Sequence, residues 1–269
     1  MSSLDIVAGA IGSCIFAGEV FHVSIPVAYL AVLGFSAWII YSADHILDAI
    51  KKKGNTEIQT HKFFYKYKTP LILVTVILTI FTFRLTMYSL SPAIIQFGLV
   101  LVAGVIFYFL LVNFYMNAPK IFFIKELWIS IIYTAGIWGG PVIYAGSEPL
   151  IPDMLLIASF FLLVFSNVLI YSYYEYNQDI REQEKSFAVD FGKLLTRRLI
   201  YFLLIISFVL WQLAVYIYGN IKGDTILIYS MITIFLVLII SFPGTFYKNE
   251  RYGKLADSAF LIPYISIFI

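Results

Sequence analysis

The chain has 269 residues, of which 61% are hydrophobic and 13% are charged, whereas about a quarter of the residues in soluble domains are charged. This composition excludes an ordinary soluble domain and predicts a polytopic membrane protein with a single domain over residues 1–269. The net charge of +2 does not indicate nucleic-acid binding, and a lone cysteine, Cys14, excludes an internal disulfide and a cysteine metal cluster.

Apolar segments long enough to cross a bilayer follow one another along the chain. A helix needs about 20 residues to span a hydrocarbon core of about 30 Å. Eight segments approach this length, at 4–21, 24–44, 69–90, 92–115, 121–144, 151–174, 199–219 and 225–242. A ninth, 257–269, has only 13 residues and is expected to tilt, to dip in from one face or to be a crossing cut short. We predict an all-α bundle of about nine transmembrane helices.

The basic residues are distributed unevenly between the loops. Sixteen of the 18 lysines and arginines follow the second, fourth, sixth and eighth predicted crossings, and Arg84 and Lys222 are the exceptions. Because Lys and Arg collect in cytoplasmic loops, this alternation predicts a protein of the cell's inner or plasma membrane with a cytoplasmic N-terminus. Alternatively, each of these lysines acts only as a topology signal and binds no ligand.

Two acidic residues, Asp44 and Asp48, close the second apolar segment. At positions i and i+4 they share one face of a helix. Ionisable groups at membrane depth are costly, so we expect them to be functional. The alternative is that they are ordinary interfacial carboxylates that pair with nearby lysines.

The sixth apolar segment ends in a larger acidic cluster. Glu175, Asp179 and Glu182 lie at i, i+4 and i+7, so three carboxylates share one helix face and repel each other unless a cation lies between them. Mg²⁺ prefers oxygen ligands and is commonly held by one or two carboxylates together with substrate phosphates. We therefore predict a Mg²⁺ site for a phosphorylated substrate in one cavity, formed by both clusters. The predicted metal ligands, which are also the predicted catalytic residues, are Asp44, Asp48, Glu175 and Asp179.

A polar stripe leads from the second cluster into the bundle. Asn167 and Tyr171 precede Glu175 by two turns and one turn on roughly the same face. Such groups line a substrate cavity or, alternatively, join helices by hydrogen bonds. Tyr41 and Tyr171 are placed to stabilise a carbocation through their ring faces, but in a chain with 20 tyrosines an interfacial belt is the default.

The two acidic clusters, with the segment that follows the second, resemble the UbiA superfamily of intramembrane prenyltransferases. That segment reads Lys185-Ser186-Phe187-Ala188-Val189-Asp190-Phe191-Gly192-Lys193 and leads to Arg197-Arg198. The first motif of the family is Asn-Asp-x-x-Asp-x-x-x-Asp. Its last two acids match Asp44 and Asp48, while Ile40 and Tyr41 occupy its first two positions.

The second motif of the family supplies acids at four-residue spacing. Glu175 and Asp179 match it, and Gln183 occupies the next position, beside Glu182. The resemblance covers nearly the whole chain in the number of crossings and the placement of the motifs.

The resemblance implies a nine-helix bundle with a central cavity at the cytoplasmic side. Two Mg²⁺ ions would join a prenyl diphosphate to both motifs, and a small lipophilic acceptor, aromatic and of the quinone-precursor kind, would capture the allylic carbocation. Membrane lipids are the other expected partners, and nucleic acid is not one. The predicted substrate-binding residues are Tyr41, Lys120, Lys125, Asn167, Tyr171, Arg181 and Lys185.

Three alternatives remain open. A terpene cyclase of the same fold would let the isoprenoid tail capture its own cation. A catalytically silent binding or scaffold protein is favoured by Ile40 and Tyr41. A transporter would also carry intramembrane acids, but here the acids lie at segment ends beside basic loops, and no paired broken helices mark a site at the midplane.

Overall fold

Helices make up the regular structure of the part of the chain that the computed structural model describes, residues 4–51, 59–114, 123–219, 223–247 and 251–268. In chain order they are α1 (Leu4–Val20), α2 (Val27–Lys51), α3 (Gln59–Lys66), α4 (Lys68–Ser89), α5 (Pro92–Phe114), α6 (Phe123–Ala145), α7 (Ile151–Glu182), α8 (Phe187–Phe191), α9 (Lys193–Tyr218), α10 (Gly223–Ser241), α11 (Pro243–Phe246) and α12 (Arg251–Ser258), and α12 continues into a 3-10 helix, Ala259–Phe268. Within these ranges no strand occurs. The prediction of an all-α protein is therefore confirmed.

Seven of the described helices are long and apolar enough to cross a membrane, namely α2, α4, α5, α6, α7, α9 and α10. This finding confirms a multi-pass integral membrane protein. Helix α1, with 17 residues, is shorter than these seven. The predicted ninth segment begins inside α12 and forms mainly the 3-10 helix. The seven long helices, α1 and this segment correspond to the predicted bundle of about nine.

Two helices extend beyond the predicted ends of their apolar segments, and the extensions carry acidic residues. Helix α2 continues from position 44 to Lys51, and α7 continues from position 174 to Glu182. The tail of α7 contains Glu, Gln and Arg, which are good helix formers, so the backbone stays helical where the apolar composition ends. The helix stops at Gln183, whose φ of 56° lies in the left-handed region that commonly ends helices.

The longest helix, α7, packs against α6, α8, α9, α10 and α12. Its contact with α9 is fixed by two fully buried serines, Ser159 and Ser207. The hydroxyl of each lies within hydrogen-bond distance of the backbone carbonyl of the other, at 2.9 and 3.0 Å. Small polar residues let membrane helices approach closely and bond across the interface. The two serines therefore set the register of α7 on α9.

Helix α1 packs against the C-terminal 3-10 helix through glycines. A Cβ atom on Gly12 would lie 2.6 Å from the ring of Tyr264, and one on Gly9 would lie 3.1 Å from Cβ of Phe260. Absence of these Cβ atoms permits the close approach. The same packing brings the start of α1, with Asp5, to the neighbourhood of α12.

Helices α4 and α5 present large apolar side chains on their outer faces. Leu73 and Phe83 on α4, and Leu99 and Val100 on α5, are each more than half exposed. Contiguous apolar surface of this kind is rare in soluble monomers and is typical of surface that faces lipid.

The short amphipathic helix α3 packs on the end of α2. Its Phe64 is buried with Ile46 and Ala49 of α2, and Tyr41 packs against the same cluster. The contact supports the turn of α2 that carries the first acidic pair.

Candidate active site

A cavity of about 660 Å³ lies at one end of the bundle. Its lining comes from the start of α1, the end of α2, the start of α6, the end of α7, the α7–α8 connection and α12. Because successive long helices alternate in direction, the two chain regions with predicted acidic motifs reach the same end. Both acidic pairs line this one cavity.

Each acidic pair contains a carboxylate that a tyrosine holds in place. The hydroxyl of Tyr108 on α5 donates to Oδ1 of Asp44 at 3.2 Å. The hydroxyl of Tyr252 on α12 donates to Oε1 of Glu175 at 3.1 Å. These bonds restrain one side chain of each pair, and they connect both pairs to helices outside α2 and α7.

The donor set of the two pairs suits a hard cation. Asp44, Asp48, Glu175 and Asp179 all line the cavity, and each carries a carboxylate group. In the described ranges no three or more Asp, Glu, His or Cys side chains gather into a complete metal cage. Mg²⁺ commonly takes only one or two carboxylates from the protein and completes its shell with substrate phosphates and water. The residues present fit a Mg²⁺–phosphate ligand better than a Zn²⁺ site.

Basic side chains line the same cavity. Lys125 at the start of α6 lies within electrostatic range of Asp44 and Asp48. Lys185 lines the cavity from the α7–α8 connection. Of the other two predicted basic residues, Lys120 lies outside the described residues, and Arg181 is exposed and is not among the residues that line this cavity.

The connection that carries Lys185 is fixed by two hydrogen bonds from the start of α8. The backbone N–H of Phe187 donates to Oε1 of Glu126 at 2.8 Å, and the N–H of Ala188 donates to Oγ of Ser172 at 2.8 Å. Glu126 is buried, and its carboxylate accepts a bond from one of the N–H groups that every helix start leaves unpaired. Sequence reasoning missed Glu126, although an acid at the start of a predicted crossing is a usable signal.

The polar stripe on α7 leads to a third acidic residue, Asp257 on α12. The hydroxyl of Tyr171 donates to Oδ2 of Asp257 at 2.5 Å and also lies 2.9 Å from the carbonyl oxygen of Gly253. Nδ2 of Asn167 donates to Oδ1 of Asp257 at 3.1 Å. Sequence reasoning treated Asp257 only as the first residue of an apolar segment, because no local pattern connects it with α7.

Tyr41 lines the cavity and forms a small aromatic cluster with His45 and Phe64. The rings of Tyr41 and His45 stack at 4.0 Å, and Nδ1 of His45 lies 3.1 Å from the carbonyl oxygen of Tyr41. Phe64 of α3 packs against His45 at 5.1 Å. The position that carries an acid in the family motif is therefore an aromatic wall of this cavity.

Comparison with known proteins identifies the architecture. No protein-family model matches the sequence, and no curated protein matches it. Among solved structures, a UbiA homologue from Aeropyrum pernix K1 in its apo form has a TM-score of 0.67 at 12% identity, over 100% of this chain and 99% of that chain. A structure of a digeranylgeranylglyceryl phosphate synthase has a TM-score of 0.57 at 14% identity, over 98% of this chain and 94% of the other.

The chain has the UbiA fold. At this level of identity the likeness establishes the fold, and it confirms the predicted resemblance to the UbiA superfamily at that level. The likeness extends over essentially the whole of each chain.

Within the UbiA fold, the predicted site residues divide into three groups. Those that line the cavity are Tyr41, Asp44, Asp48, Lys125, Asn167, Tyr171, Glu175, Asp179 and Lys185. Arg181 lies on α7 outside the lining, and Lys120 lies outside the described residues. Their roles in binding and catalysis remain predictions.

Proposed function

We propose that this UbiA-fold chain is a Mg²⁺-dependent intramembrane prenyltransferase that moves an isoprenyl group from a prenyl diphosphate to a small lipophilic acceptor. The observation that supports this proposal best is the meeting of two carboxylate pairs, from α2 and α7, with lysines in one cavity. The names of the two similar structures, a UbiA homologue and a digeranylgeranylglyceryl phosphate synthase, agree with the same class of reaction.

The donor diphosphate would bind at the acidic end of the cavity. Asp44, Asp48, Glu175 and Asp179 are the residues that would hold Mg²⁺ there. When bound, Mg²⁺ neutralises charge on the departing diphosphate. Lys125 and Lys185 would bind phosphate oxygens directly and add positive charge where negative charge develops.

The remaining walls suit the allylic carbocation and the isoprenoid tail. The ring faces of Tyr41 and Tyr171 can stabilise a cation. Apolar lining from Ile129, Val164 and Phe260 excludes water that would otherwise quench it. We also propose that the cavity opens at the cytoplasmic side of the cell's inner or plasma membrane, because the predicted cytoplasmic loops connect the helix ends that form it.

A catalytically silent membrane protein of the same fold is the second candidate. It is favoured by Ile40 and Tyr41, which stand where the family motif has Asn and Asp. Such a protein could still bind a diphosphate, but it would form no prenylated product.

Asp179→Asn tests the proposal. We expect geranylgeranyl diphosphate with Mg²⁺ to raise the unfolding temperature of the wild type, because a ligand that binds only the native state stabilises it. The variant should show much less stabilisation and no product by mass spectrometry. Without ligand its free energy of unfolding should stay within about 0.5 kcal/mol of the wild type, since the amide is isosteric.

Asp190→Asn is the matched control, because Asp190 is exposed on α8 and lies outside the cavity lining. It should behave as the wild type does. Equal stabilisation of wild type and Asp179→Asn would show that Asp179 does not hold the metal. Ligand stabilisation of the wild type without any product would favour the silent protein.

A further inference from the structure

The cavity has a second polar end, formed by Asn167, Tyr171 and Asp257. Along α7, Asn167, Tyr171, Glu175 and Asp179 follow one another at four-residue intervals, each about 6 Å further along the helix axis. Tyr171 and its partner Asp257 therefore lie about one turn deeper in the bundle than the nearer acid of the pair on α7. If the acids hold the diphosphate of the donor, a group bound at this second end would lie next to C1, the carbon from which the diphosphate departs.

Asn167 presents an unsatisfied oxygen to this end of the cavity. Its side chain is 7% exposed, and its Nδ2 donates to Asp257. Its Oδ1 has no hydrogen-bond partner in the described part of the chain. The opposite amide orientation would turn the oxygen toward the carboxylate of Asp257, so the hydrogen bond fixes which atom is left over. A buried polar atom without a partner is costly, and a ligand that donates a hydrogen bond would remove the cost.

The carboxylate of Asp257, which also lines the cavity, is the second accepting group at this end. Its Oδ1 accepts from Asn167 and its Oδ2 accepts from the Tyr171 hydroxyl, which also lies near the Gly253 carbonyl. Asp5 of α1 adds a second carboxylate to the same lining. This end of the cavity thus suits hydrogen-bond donors and repels anions.

We propose that Asn167, Tyr171 and Asp257 form the acceptor subsite and that it selects a neutral acceptor with a hydroxyl group over one with a carboxylate. This inference rests on the proposed prenyl transfer. The acceptor hydroxyl donates a hydrogen bond within the subsite, and Asp5 and Asp257 together disfavour an acceptor that carries its own negative charge.

The subsite also accounts for the proton that the transfer releases. The bond between C1 of the prenyl group and the diphosphate oxygen breaks, and its electron pair leaves with the diphosphate. The acceptor oxygen forms the new bond to C1, and its proton passes to the Asp257 carboxylate and then to water. One donor and one acceptor give one prenyl ether, one diphosphate and one proton. Asp257 is therefore a catalytic residue, and Tyr171 positions its carboxylate.

A matched pair of acceptors tests the selection. The full chain in lipid nanodiscs is given geranylgeranyl diphosphate, Mg²⁺ and either 4-methylphenol or 4-hydroxybenzoate, which differ in one methyl or carboxylate group. We expect the wild type to prefer 4-methylphenol by about tenfold or more in kcat/KM, because a like charge is disfavoured near Asp5 and Asp257. Asp5→Asn should narrow this preference.

Asp257→Asn tests the catalytic role. We expect kcat/KM for 4-methylphenol to fall by about 100-fold, in the range of a lost general base, while donor and Mg²⁺ still raise the unfolding temperature as in the wild type. Asn167→Leu leaves the Asp257 carboxylate in place and should raise KM for 4-methylphenol. It provides the same test if the Asp257→Asn variant is unstable. Asp190→Asn is the control and should leave kcat/KM for 4-methylphenol unchanged.

Three results would overturn the inference. The first is equal use of both phenols by the wild type. The second is a kcat/KM for 4-methylphenol that equals the wild-type value in both Asp257→Asn and Asn167→Leu. The third is a wild type that hydrolyses the donor but prenylates neither phenol. A wild type that donor and Mg²⁺ do not stabilise would instead contradict the proposed function, and this inference with it.

Discussion

Glu126 connects two parts of the cavity wall that are far apart in the chain. It lies beside Lys125 at the start of α6, and its carboxylate accepts the hydrogen bond from the backbone of Phe187 at the start of α8. The residues between α7 and α8, among them Lys185, are therefore placed by a side chain about 60 positions earlier in the sequence. Burying this carboxyl group costs desolvation, which the hydrogen bond from the helix start partly offsets.

Glu126→Ala should destabilise the protein more than Glu126→Gln does. The alanine leaves the Phe187 N–H buried without a partner, at a cost of about 1–3 kcal/mol in the free energy of unfolding. The glutamine retains an oxygen that can accept the bond, so its cost should be smaller. Thermal unfolding of both purified variants in detergent checks the order. An alanine variant as stable as the glutamine variant would contradict the capping role.

At the scale of helices, glycines decide how closely α1 approaches the C-terminal 3-10 helix. The space at Gly12 is already filled by the ring of Tyr264, whereas Gly98 on α5 has open space where a Cβ would be, with no atom within 4 Å. The two positions are both helical, so they differ in packing and not in backbone preference.

Gly12→Ala should therefore lower the unfolding temperature, because the added Cβ forces Tyr264 and the 3-10 helix to move. Gly98→Ala is the matched control and should be neutral or stabilising, since alanine favours a helix over glycine by about 1 kcal/mol. Thermal unfolding of the two variants side by side measures the difference. The packing account fails if both substitutions shift the unfolding temperature in the same direction by the same amount.

The whole molecule gathers its acidic pairs at the end of the bundle that the basic loops are predicted to share. Asp44 and Asp48 near the end of α2, Lys125 at the start of α6, and Glu175 and Asp179 near the end of α7 all line one cavity. A cytoplasmic position for those loops would place the cavity opening where water-soluble diphosphate and Mg²⁺ are supplied.

Cysteine labelling tests this orientation. A cysteine at Gly54, which lies outside the described residues, should react in intact cells only with a membrane-permeant reagent. A cysteine at Ser147, exposed between α6 and α7 at the opposite end, should also react with an impermeant one. The native Cys14 is buried and should contribute little background. Labelling of Gly54→Cys and not of Ser147→Cys by the impermeant reagent would reverse the proposed topology.

Sequence alone determined the class of protein, the approximate positions of its long helices and the candidate acids. Hydropathy decides where a backbone must satisfy its own hydrogen bonds in lipid, so apolar segments of sufficient length predict helices directly. The spacing of Asp44 with Asp48, and of Glu175 with Asp179, is also a local property, because residues four apart share a helix face.

Tertiary structure alone decided which of these faces meet, and it added residues that no local pattern indicates. Asp257 lies 86 positions from its partner Tyr171, and Glu126 lies 61 positions from Phe187. Such pairs depend on how whole helices pack, on small residues such as Ser159, Ser207 and Gly12 that allow close approach, and not on the hydropathy of their own segments. For this reason the sequence predicted the acidic end of the cavity, and only packing placed Asp257 at its other end.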